Sequence, residues 1–193
     1  TCEVLRYERG AAGSCDWLLK RRLHGEDCTT SRYLEQPERL VDIMAEQLVR
    51  LHALPTAGCP EPNHTAKYLA RAENGWHARQ ANPSFFTDMF GKATLDDIHR
   101  FIAEHSGLLQ TDTLLHGDYC LPNIILDDWR FSGFIDLDSA GVGDRHVDLF
   151  WALWTLRFNL HTDAWDNRFL DVYGRAGINP DTLRLVAAIE VFG

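Results

Sequence analysis

The stretch LLHGDYCLPNIILDDWRFSGFIDLDS, residues 114–139, contains two apolar runs with a polar break between them. The first run is NIIL, residues 123–126, and the second lies in RFSGFIDL, residues 130–137. Asp127 and Asp128, which separate the runs, are typical turn residues. The pattern therefore predicts a β-hairpin, with further polar residues placed just before it and just after it.

Three of those polar residues have types and positions that indicate chemistry. Asn123 begins the first strand and Asp136 ends the second, so a hairpin brings the two close together. An amide oxygen and a carboxylate are hard oxygen ligands of the kind that Mg²⁺ accepts. Asp118 adds a second carboxylate shortly before Asn123. A base, a neutral metal ligand and an anionic metal ligand together suit phosphoryl transfer, whereas the plainer alternative makes Asp118 and Asn123 ordinary turn and strand-start residues.

The rest of the chain is predicted to be mostly helical, which gives an α+β fold class. A hairpin is expected over CEVLRYERGAAGSCDWLLKRR, near the beginning. Four helices are expected over PERLVDIMAEQLVRLHAL, TLDDIHRFIAEHSGLL, HVDLFWALWTLRFNL and about 164–174, and a fifth over 180–192. Pro37 suits a first helical turn, and Thr94 with an acid three residues later forms a capping box. Residues 55–93 are interpreted as loops and short helices, a binding insert more than a core element.

Composition narrows the class of partner. The 193 residues are 45% hydrophobic and carry a net charge of −9. An acidic protein of this kind argues against nucleic acid or an anionic membrane as a partner and is compatible with a cationic one. The sequence has no apolar run of membrane-spanning length. Five scattered cysteines without C-x-x-C spacing favour reduced thiols, and hence a cytoplasmic location, over a disulfide framework or zinc site.

The segment HGDYCLPN followed by IDLDSAGVGDRHVD resembles the catalytic segment of the aminoglycoside phosphotransferases, antibiotic kinases with a protein-kinase-like fold. The family pattern H-G-D-x-x-x-x-N, then I-D, then G-x-x-x-x-D is matched at His116, Gly117, Asp118, Asn123, Ile135, Asp136 and Asp148. The sequence LPNII…RFSGFID is most similar to that of the family branch that phosphorylates the 3′-hydroxyl of kanamycin-type drugs. WLLKRRLHGEDC resembles the hinge between the lobes, and AEQLVRLHALP resembles the first helix of the large lobe.

The resemblance implies a domain division. Residues 1–22 would be the last strands of the small lobe and the hinge, and residues 23–193 the helical C-terminal catalytic and substrate-binding lobe. No Gly-rich phosphate loop and no strand lysine of the V-A-I-K type occurs in the sequence, so most of the small lobe is expected before Thr1. The adenine of ATP would then bind the backbone near Arg21–Leu23, and this chain alone would bind ATP poorly.

The resemblance also assigns roles around the predicted hairpin. Asp118 would orient and deprotonate the substrate hydroxyl, and Asn123 and Asp136 would hold Mg²⁺ on the ATP phosphates. His116 is expected to be a packed support. Asp148, at the start of an apolar helix, is expected to brace the catalytic loop, and the same is expected of Asp144.

The substrate is expected to be a small polycation, because aminoglycosides carry several ammonium groups. The drug site of the family is built from the insert and the C-terminal helices. Glu190 is a candidate ligand for a drug amine, with a helix-surface carboxylate as the alternative. Asp138 is either a solvated loop residue or a second acid near the metal. Asp138-Ser139 and the final IEVFG depart from the best-known family members, which leaves the drug undefined.

Three functions remain open at this point. The first is ATP- and Mg²⁺-dependent phosphorylation of an aminoglycoside, which gives antibiotic resistance. The second is a small-metabolite kinase of the same fold, acting on choline, homoserine or a thio-sugar. The third is a catalytically silent binding module. The sequence does not define an oligomeric state.

Overall fold

The structure is a computed structural model and describes residues 3–11, 15–82, 90–91 and 93–193. In this described part of the chain, seven strands lie at Val4–Glu8 (β1), Trp17–Lys20 (β2), Glu26–Asp27 (β3), Thr113–Leu115 (β4), Ile124–Asp127 (β5), Arg130–Phe134 (β6) and Gly141–Gly143 (β7). The helices are Ser31–Leu34 (α1), Pro37–His52 (α2), His64–His77 (α3), Leu95–His105 (α4), His146–Leu160 (α5), Asp166–Tyr173 (α6) and Pro180–Glu190 (α7). The α+β fold class predicted from sequence is confirmed.

Helix α2 contributes several buried side chains to the first hydrophobic core. Pro37 lies in its first turn, where the missing N–H costs no hydrogen bond. Leu40, Met44 and Leu48 recur at helical spacing and are fully buried. They pack in one cluster with residues of the hairpin β5–β6 and of helix α5. This packing fixes the end of α2 beside the loop that precedes β5.

Helix α3 corrects the interpretation of residues 55–93 as loops and short helices that form a binding insert more than a core element. The side chain of Asn63 caps the helix by accepting a hydrogen bond from the Ala66 N–H at 3.1 Å. Tyr68 and Ala72 are only 4% and 2% exposed, in a second core shared with α4 and α7. The remainder of that predicted region, residues 83–89 and Lys92, lies outside the described residues.

Small residues on α3 allow this close packing. A Cβ atom added to Gly75 would overlap the carbonyl oxygen of Phe192. We therefore expect Gly75→Ala to destabilise the protein by about 1–3 kcal/mol, because the helix must shift away from the C-terminal segment. Urea unfolding measures the loss. Gly107→Ala is the control, since nothing lies within 4 Å of its added Cβ, and an equal loss in both variants would contradict the packing argument.

The predicted hairpin forms between β5 and β6, which pair antiparallel with Ile124 opposite Phe134. Its turn is at Asp128 and Trp129, one position later than predicted, and both residues have positive φ, +47° and +66°. That pair of angles indicates a type I′ turn, whose twist matches that of a two-stranded ribbon. The short strand β3 adds a third strand, and β4 pairs with β7 in a separate ribbon. Strands of two or three residues give too little pattern to be predicted.

The hairpin near the beginning of the chain also forms, with β1 antiparallel to β2. It exposes six large apolar side chains: Val4, Leu5, Tyr7, Trp17, Leu18 and Leu19. The predicted turn, residues 12–14, lies outside the described residues. The domain boundary at residue 22 stays a prediction.

The structure bears on two expectations, one about a membrane-spanning helix and one about free cysteines. Within the described part of the chain, no helix combines the length and apolar character that crossing a membrane requires. Cys15, Cys28, Cys59 and Cys120 are all free, and Cys2 lies outside the described residues.

Candidate active site

The segment between β4 and β5, residues 116–123, is held at both ends by strands. β4 pairs with β7, and a 3₁₀ turn over Leu121–Asn123 leads into β5. Gly117 has φ +84°, and a Cβ there would overlap the carbonyl oxygen of Ser139. Only glycine therefore fits this position, where the loop passes under the segment that follows Asp136.

Asp118 and Asn123 are joined by the Asn123 side chain. Its Nδ2 atom donates to the Asp118 carboxylate Oδ2 at 2.9 Å and to the Asp118 carbonyl oxygen at 3.0 Å. Because both neighbours are acceptors, the nitrogen must face Asp118, and the amide oxygen Oδ1 faces the opposite way. Asp118 is half-buried and Asn123 is 8% exposed.

The register of the hairpin places Asp136 next to Asn123. The Ile135 N–H donates to the Asn123 carbonyl oxygen at 3.0 Å, one residue before Asp136. Asp136 is exposed and has φ +56°, a left-handed conformation that is uncommon outside glycine. Strained backbone of this kind clusters at functional sites. The structure therefore brings Asp118, Asn123 and Asp136 to one end of the hairpin.

His116 ties the two halves of this end together. It is fully buried, and its Nε2 lies 3.0 Å from the carbonyl oxygen of Ile135. Nε2 is thus the donor, and Nδ1 accepts the Asp118 N–H at 3.3 Å. The ring packs edge-on against Tyr119 and Phe134.

Asp148 holds the backbone at the start of the same loop. It is 0% exposed, and its two oxygens accept the N–H groups of His116 and Gly117, both at 2.8 Å. Two charge-assisted hydrogen bonds from consecutive amides fix the direction of the loop entering Asp118. His52, at the end of α2, lies 3.1 Å from the same carboxylate.

Asp144, which directly follows β7, also accepts hydrogen bonds from backbone amides, those of Gln110 and His146. Burial acts to raise the pKa of its carboxyl, but hydrogen bonds from the His146 side chain and from the Gln110 and His146 amides outweigh it, and the pKa falls below its ordinary value. The folded protein therefore binds this proton less tightly than the unfolded chain does. Its contribution to stability is complete above the unfolded pKa near 4 and is lost as pH falls through the folded pKa.

We expect Asp144→Asn to lower the free energy of unfolding by about 1–3 kcal/mol at pH 7, because the charge-assisted bonds weaken. The difference from the unmodified protein should shrink as pH falls below about 4, where the native carboxyl also becomes protonated. Urea unfolding at pH 7, 5 and 3 measures it. A difference independent of pH would contradict the assignment.

The residues at the hairpin end fit a magnesium ion. Asp136 offers an exposed carboxylate and Asn123 an amide oxygen whose orientation is fixed, and Mg²⁺ in nucleotide sites commonly takes one or two protein oxygens with the remainder from water and phosphate. Among the described residues, no group of three or more His, Cys, Asp or Glu side chains could hold a metal. The pair Asn123 and Asp136 contains only one such side chain. The Cys120 thiol beside Asp118 is protonated, because burial, and then the Asp118 charge, raise its pKa.

A cavity of about 540 Å³ opens between the hairpin end and the residues predicted to contact adenine. Its lining residues are Lys20, Arg21, Arg22, Leu23, Gly25, Glu26, Asp27, Thr30, Ile125 and Ile135. Leu23 packs over Gly133 of β6, where a Cβ would lie 2.8 Å from its methyl group. The Arg21 N–H already donates to the Glu3 carbonyl at 2.8 Å. The Arg21 carbonyl and the backbone groups of Arg22 and Leu23 therefore remain for hydrogen bonds to a base.

Glu190 is not a helix-surface residue, so that alternative is wrong. It is 2% exposed, and it accepts a hydrogen bond from the Tyr68 hydroxyl at 2.7 Å. Arg71 lies 3.2 Å away as a partly exposed ion-pair partner. Burial raises the pKa of Glu190, while Arg71 and Tyr68 act against the rise and the nearby Asp118 charge adds to it. Tyr68 and Arg71 were not predicted, because they lie about 120 residues earlier in sequence.

A second cavity of about 220 Å³ lies between α3 and the loop after Asp136. It is lined by Glu61, His64, Lys67, Tyr68, Arg71, Asp138, Ser139 and Ala140. Tyr68 and Arg71 connect this cavity to Glu190, and Ser139 connects it to Gly117 of the segment 116–123. Asp138 is exposed at its edge.

Comparison with known proteins finds phosphotransferases among the relatives of this chain. The family model described as phosphotransferase enzyme family matches residues 1–186. A protein of Lactococcus lactis named a probable aminoglycoside 3′-phosphotransferase is 48% identical over 180 residues, which cover 93% of this chain and 68% of the relative. An aminoglycoside 3′-phosphotransferase of Niallia circulans is 31% identical with the same coverage. The chain thus spans about two-thirds of these relatives.

Solved structures agree with the sequence comparison. Aminoglycoside phosphotransferase APH(3'')-Id from Streptomyces rimosus matches with a TM-score of 0.78 and 26% identity, over 99% of this chain and 74% of that one. The same enzyme has been solved in complex with ADP and streptomycin. The predicted fold is confirmed by these matches.

Proposed function

This chain belongs to the phosphotransferase enzyme family, and from that premise we propose that it transfers a phosphoryl group from ATP to a hydroxyl of an aminoglycoside antibiotic. The observation that carries the proposal is the convergence of three side chains at the end of the hairpin. The Asn123 amide bonds Asp118 on one side, and its backbone bonds the segment that leads to Asp136 on the other. The modification would give resistance to the drug.

Asp118 is the catalytic base of the proposal. Its carboxylate is half-buried, and one oxygen accepts the Asn123 amide, so the group is oriented before substrate arrives. A carboxylate held in this way can orient an incoming hydroxyl and take up its proton as the bond to phosphorus forms. His116 and Asp148 hold the backbone on either side of the loop entry and keep that orientation.

Asn123 and Asp136 are the proposed holders of the magnesium ion, which neutralises charge on the ATP phosphates when it is bound. Asp136 lies two residues after β6, in left-handed backbone, and is exposed. The nucleotide itself is proposed to occupy the 540 Å³ cavity, where Leu23 supplies an apolar face and Lys20 and Arg22 supply positive charge.

The substrate is proposed to be a polycation bound on the side of the 220 Å³ cavity. Glu61, Asp138 and Glu190 put carboxylates in or against this space. Lys67 pairs with Glu61, and Arg71 pairs with Glu190. Glu190 is retained as a candidate ligand for a drug amine, because its ion-pair partner Arg71 is partly exposed. The Tyr68 hydroxyl binds the same carboxylate. The net charge of −9 agrees with a cationic substrate.

The relatives do not favour the metabolite-kinase and silent-module alternatives, since the named relatives are aminoglycoside phosphotransferases. A coupled ADP-release assay on the protein as its gene encodes it tests the proposal with kanamycin, neomycin, streptomycin, choline and homoserine. Turnover with an aminoglycoside and none with choline or homoserine is expected. Turnover with a metabolite alone, or no turnover with any of the five, would overturn it. Cytoplasmic location remains a prediction.

A further inference from the structure

The charged side chains around the 220 Å³ cavity, between α3 and the loop after Asp136, form two ion pairs. Lys67 pairs with Glu61, and Arg71 pairs with Glu190 at 3.2 Å. In each pair the acid is the more buried partner: the side chain of Glu61 is 23% exposed and that of Lys67 is 72% exposed. Each pair is neutral as a unit and presents its cation on the more exposed side.

Asp138 is the exception in this lining. It is exposed, and its carboxylate has no hydrogen bond and no ion pair with any residue that the structure describes. It lies in a tight turn that is closed by a hydrogen bond from the Ala140 N–H to the Leu137 carbonyl at 3.1 Å. Aspartate is a common turn residue, but at this place it also puts one uncompensated negative charge at the edge of the cavity.

The histidine in the lining adds no positive charge. His64 is 9% exposed, and burial lowers the pKa of its ring below the ordinary value, so the ring is neutral at pH 7. Its Nδ1 is buried and has no hydrogen-bond partner. The lining therefore combines one net negative charge, that of Asp138, with a neutral imidazole that can form further hydrogen bonds. This combination suits one ammonium group on a ring that also carries hydroxyls.

The turn that carries Asp138 lies against the segment that carries the proposed base. A Cβ atom added to Gly117 would overlap the Ser139 carbonyl oxygen, so the two backbones touch at that point. Asp118 and Asp138 are each one residue away from this contact, and consecutive Cα atoms are about 3.8 Å apart. An ammonium group bound by Asp138 and a hydroxyl bound by Asp118 can therefore belong to the same sugar ring.

We propose that Asp138 is a specificity-determining residue of the reaction and binds a single ammonium group on the sugar ring that carries the reacting hydroxyl. The proposal rests on the proposed function, in which Asp118 is the base and an aminoglycoside is the substrate. It narrows the chemistry of this part of the substrate to one cationic amine among hydroxyls. Lys67 and Arg71, which neutralise the other two acids, disfavour a second amine here.

Calorimetric titration of the gene-encoded protein with kanamycin, neomycin and streptomycin, together with steady-state kinetics, tests the proposal. Asp138→Asn should weaken drug binding and raise KM for the drug by about 5–50-fold, because a charge-assisted hydrogen bond is lost. kcat and KM for ATP should stay within about 3-fold. Asparagine suits the same turn, so the fold should be retained. Asp138→Glu keeps the carboxylate and should recover most of the affinity.

Salt provides a readout that a purely structural role would not change. Added salt should weaken drug binding less in Asp138→Asn than in the unmodified protein, since one fewer charge pair is screened. An equal salt dependence in the two proteins would contradict the charge pairing.

Two further variants test the distribution of charge. Lys67→Gln leaves Glu61 unpaired and should strengthen drug binding by about 2–5-fold, because the lining gains a second free carboxylate. Asp128→Asn, at the exposed turn of the hairpin β5–β6, is the matched control and should leave drug affinity unchanged. Unchanged affinity in Asp138→Asn, or weaker binding in Lys67→Gln, would overturn the proposal.

Binding and turnover together separate failure of this proposal from failure of the proposed function. Titration without ATP measures drug affinity whether or not the drug is phosphorylated. Phosphorylation with equal drug affinity in Asp138→Asn and the unmodified protein would overturn only the role of Asp138. Drug binding that depends on Asp138, without turnover, would overturn the proposed function. If the unmodified protein bound none of the three drugs, both would be overturned.

Discussion

Replacement of Asp118 by alanine should lower kcat for aminoglycoside phosphorylation by about 10²–10⁴-fold, the range expected for loss of a general base. ATP affinity should be nearly unchanged, because the cavity proposed for the nucleotide is lined by other residues. The loop should survive the change, since Asn123 Nδ2 still donates to the backbone carbonyl of residue 118. Coupled ADP release and titration calorimetry measure the two quantities separately.

Two further variants make this result specific. Asp118→Asn retains the size of the side chain but not its basicity, and it should fall nearly as far as Asp118→Ala. Asp163→Ala removes an exposed carboxylate between α5 and α6 and should leave kcat unchanged. Wild-type kcat in Asp118→Ala would discard the assigned base.

The second large effect is expected at the end of the hairpin where the magnesium ion is proposed to bind. Asp136→Asn should lower kcat by about 10²-fold or more, because the anionic oxygen proposed to hold the magnesium ion on the ATP phosphates is lost. Asparagine tolerates the left-handed backbone that Asp136 adopts at φ +56°, so the turn should be retained. Calorimetry with ATP should show that Mg²⁺ enhances nucleotide binding less in this variant than in the unmodified protein.

Asp128→Asn is a matched control in the same hairpin. Asp128 is also exposed and has φ +47°, but it lies in the turn at the opposite end from Asn123. The same substitution there should change neither kcat nor the Mg²⁺ dependence. If both variants lost activity to the same extent, the effect would belong to the hairpin fold and not to a metal ligand.

The parts of the fold that are local in sequence could be predicted. Two apolar runs with polar turn residues between them predict the hairpin β5–β6. Leu40, Met44 and Leu48 at helical spacing predict α2. The juxtaposition of Asn123 and Asp136 follows from the hairpin register alone. Helix α3 was missed as a core element because Ala72 and Gly75, at its tightest contacts, give almost no hydrophobic signal.

Contacts between distant segments were beyond sequence reasoning. His52 and Asp148 are 96 residues apart, and Tyr68 and Glu190 are 122 apart. In each case one partner appears as an unremarkable polar residue at the end of a helix, and only tertiary packing shows that it is buried. The same packing explains why the surface alternative for Glu190 failed, since α7 is covered by α3 at that point.

A crystal structure of the gene-encoded protein with Mn²⁺, a non-hydrolysable ATP analogue and an aminoglycoside tests the central claim most directly. The anomalous signal of manganese should lie within about 2.0–2.3 Å of the Asn123 amide oxygen and an Asp136 carboxylate oxygen, close to Mg²⁺ distances. A drug hydroxyl should lie within about 3.2 Å of the Asp118 carboxylate. A metal bound elsewhere, with Asp118 turned away from the drug, would contradict the account.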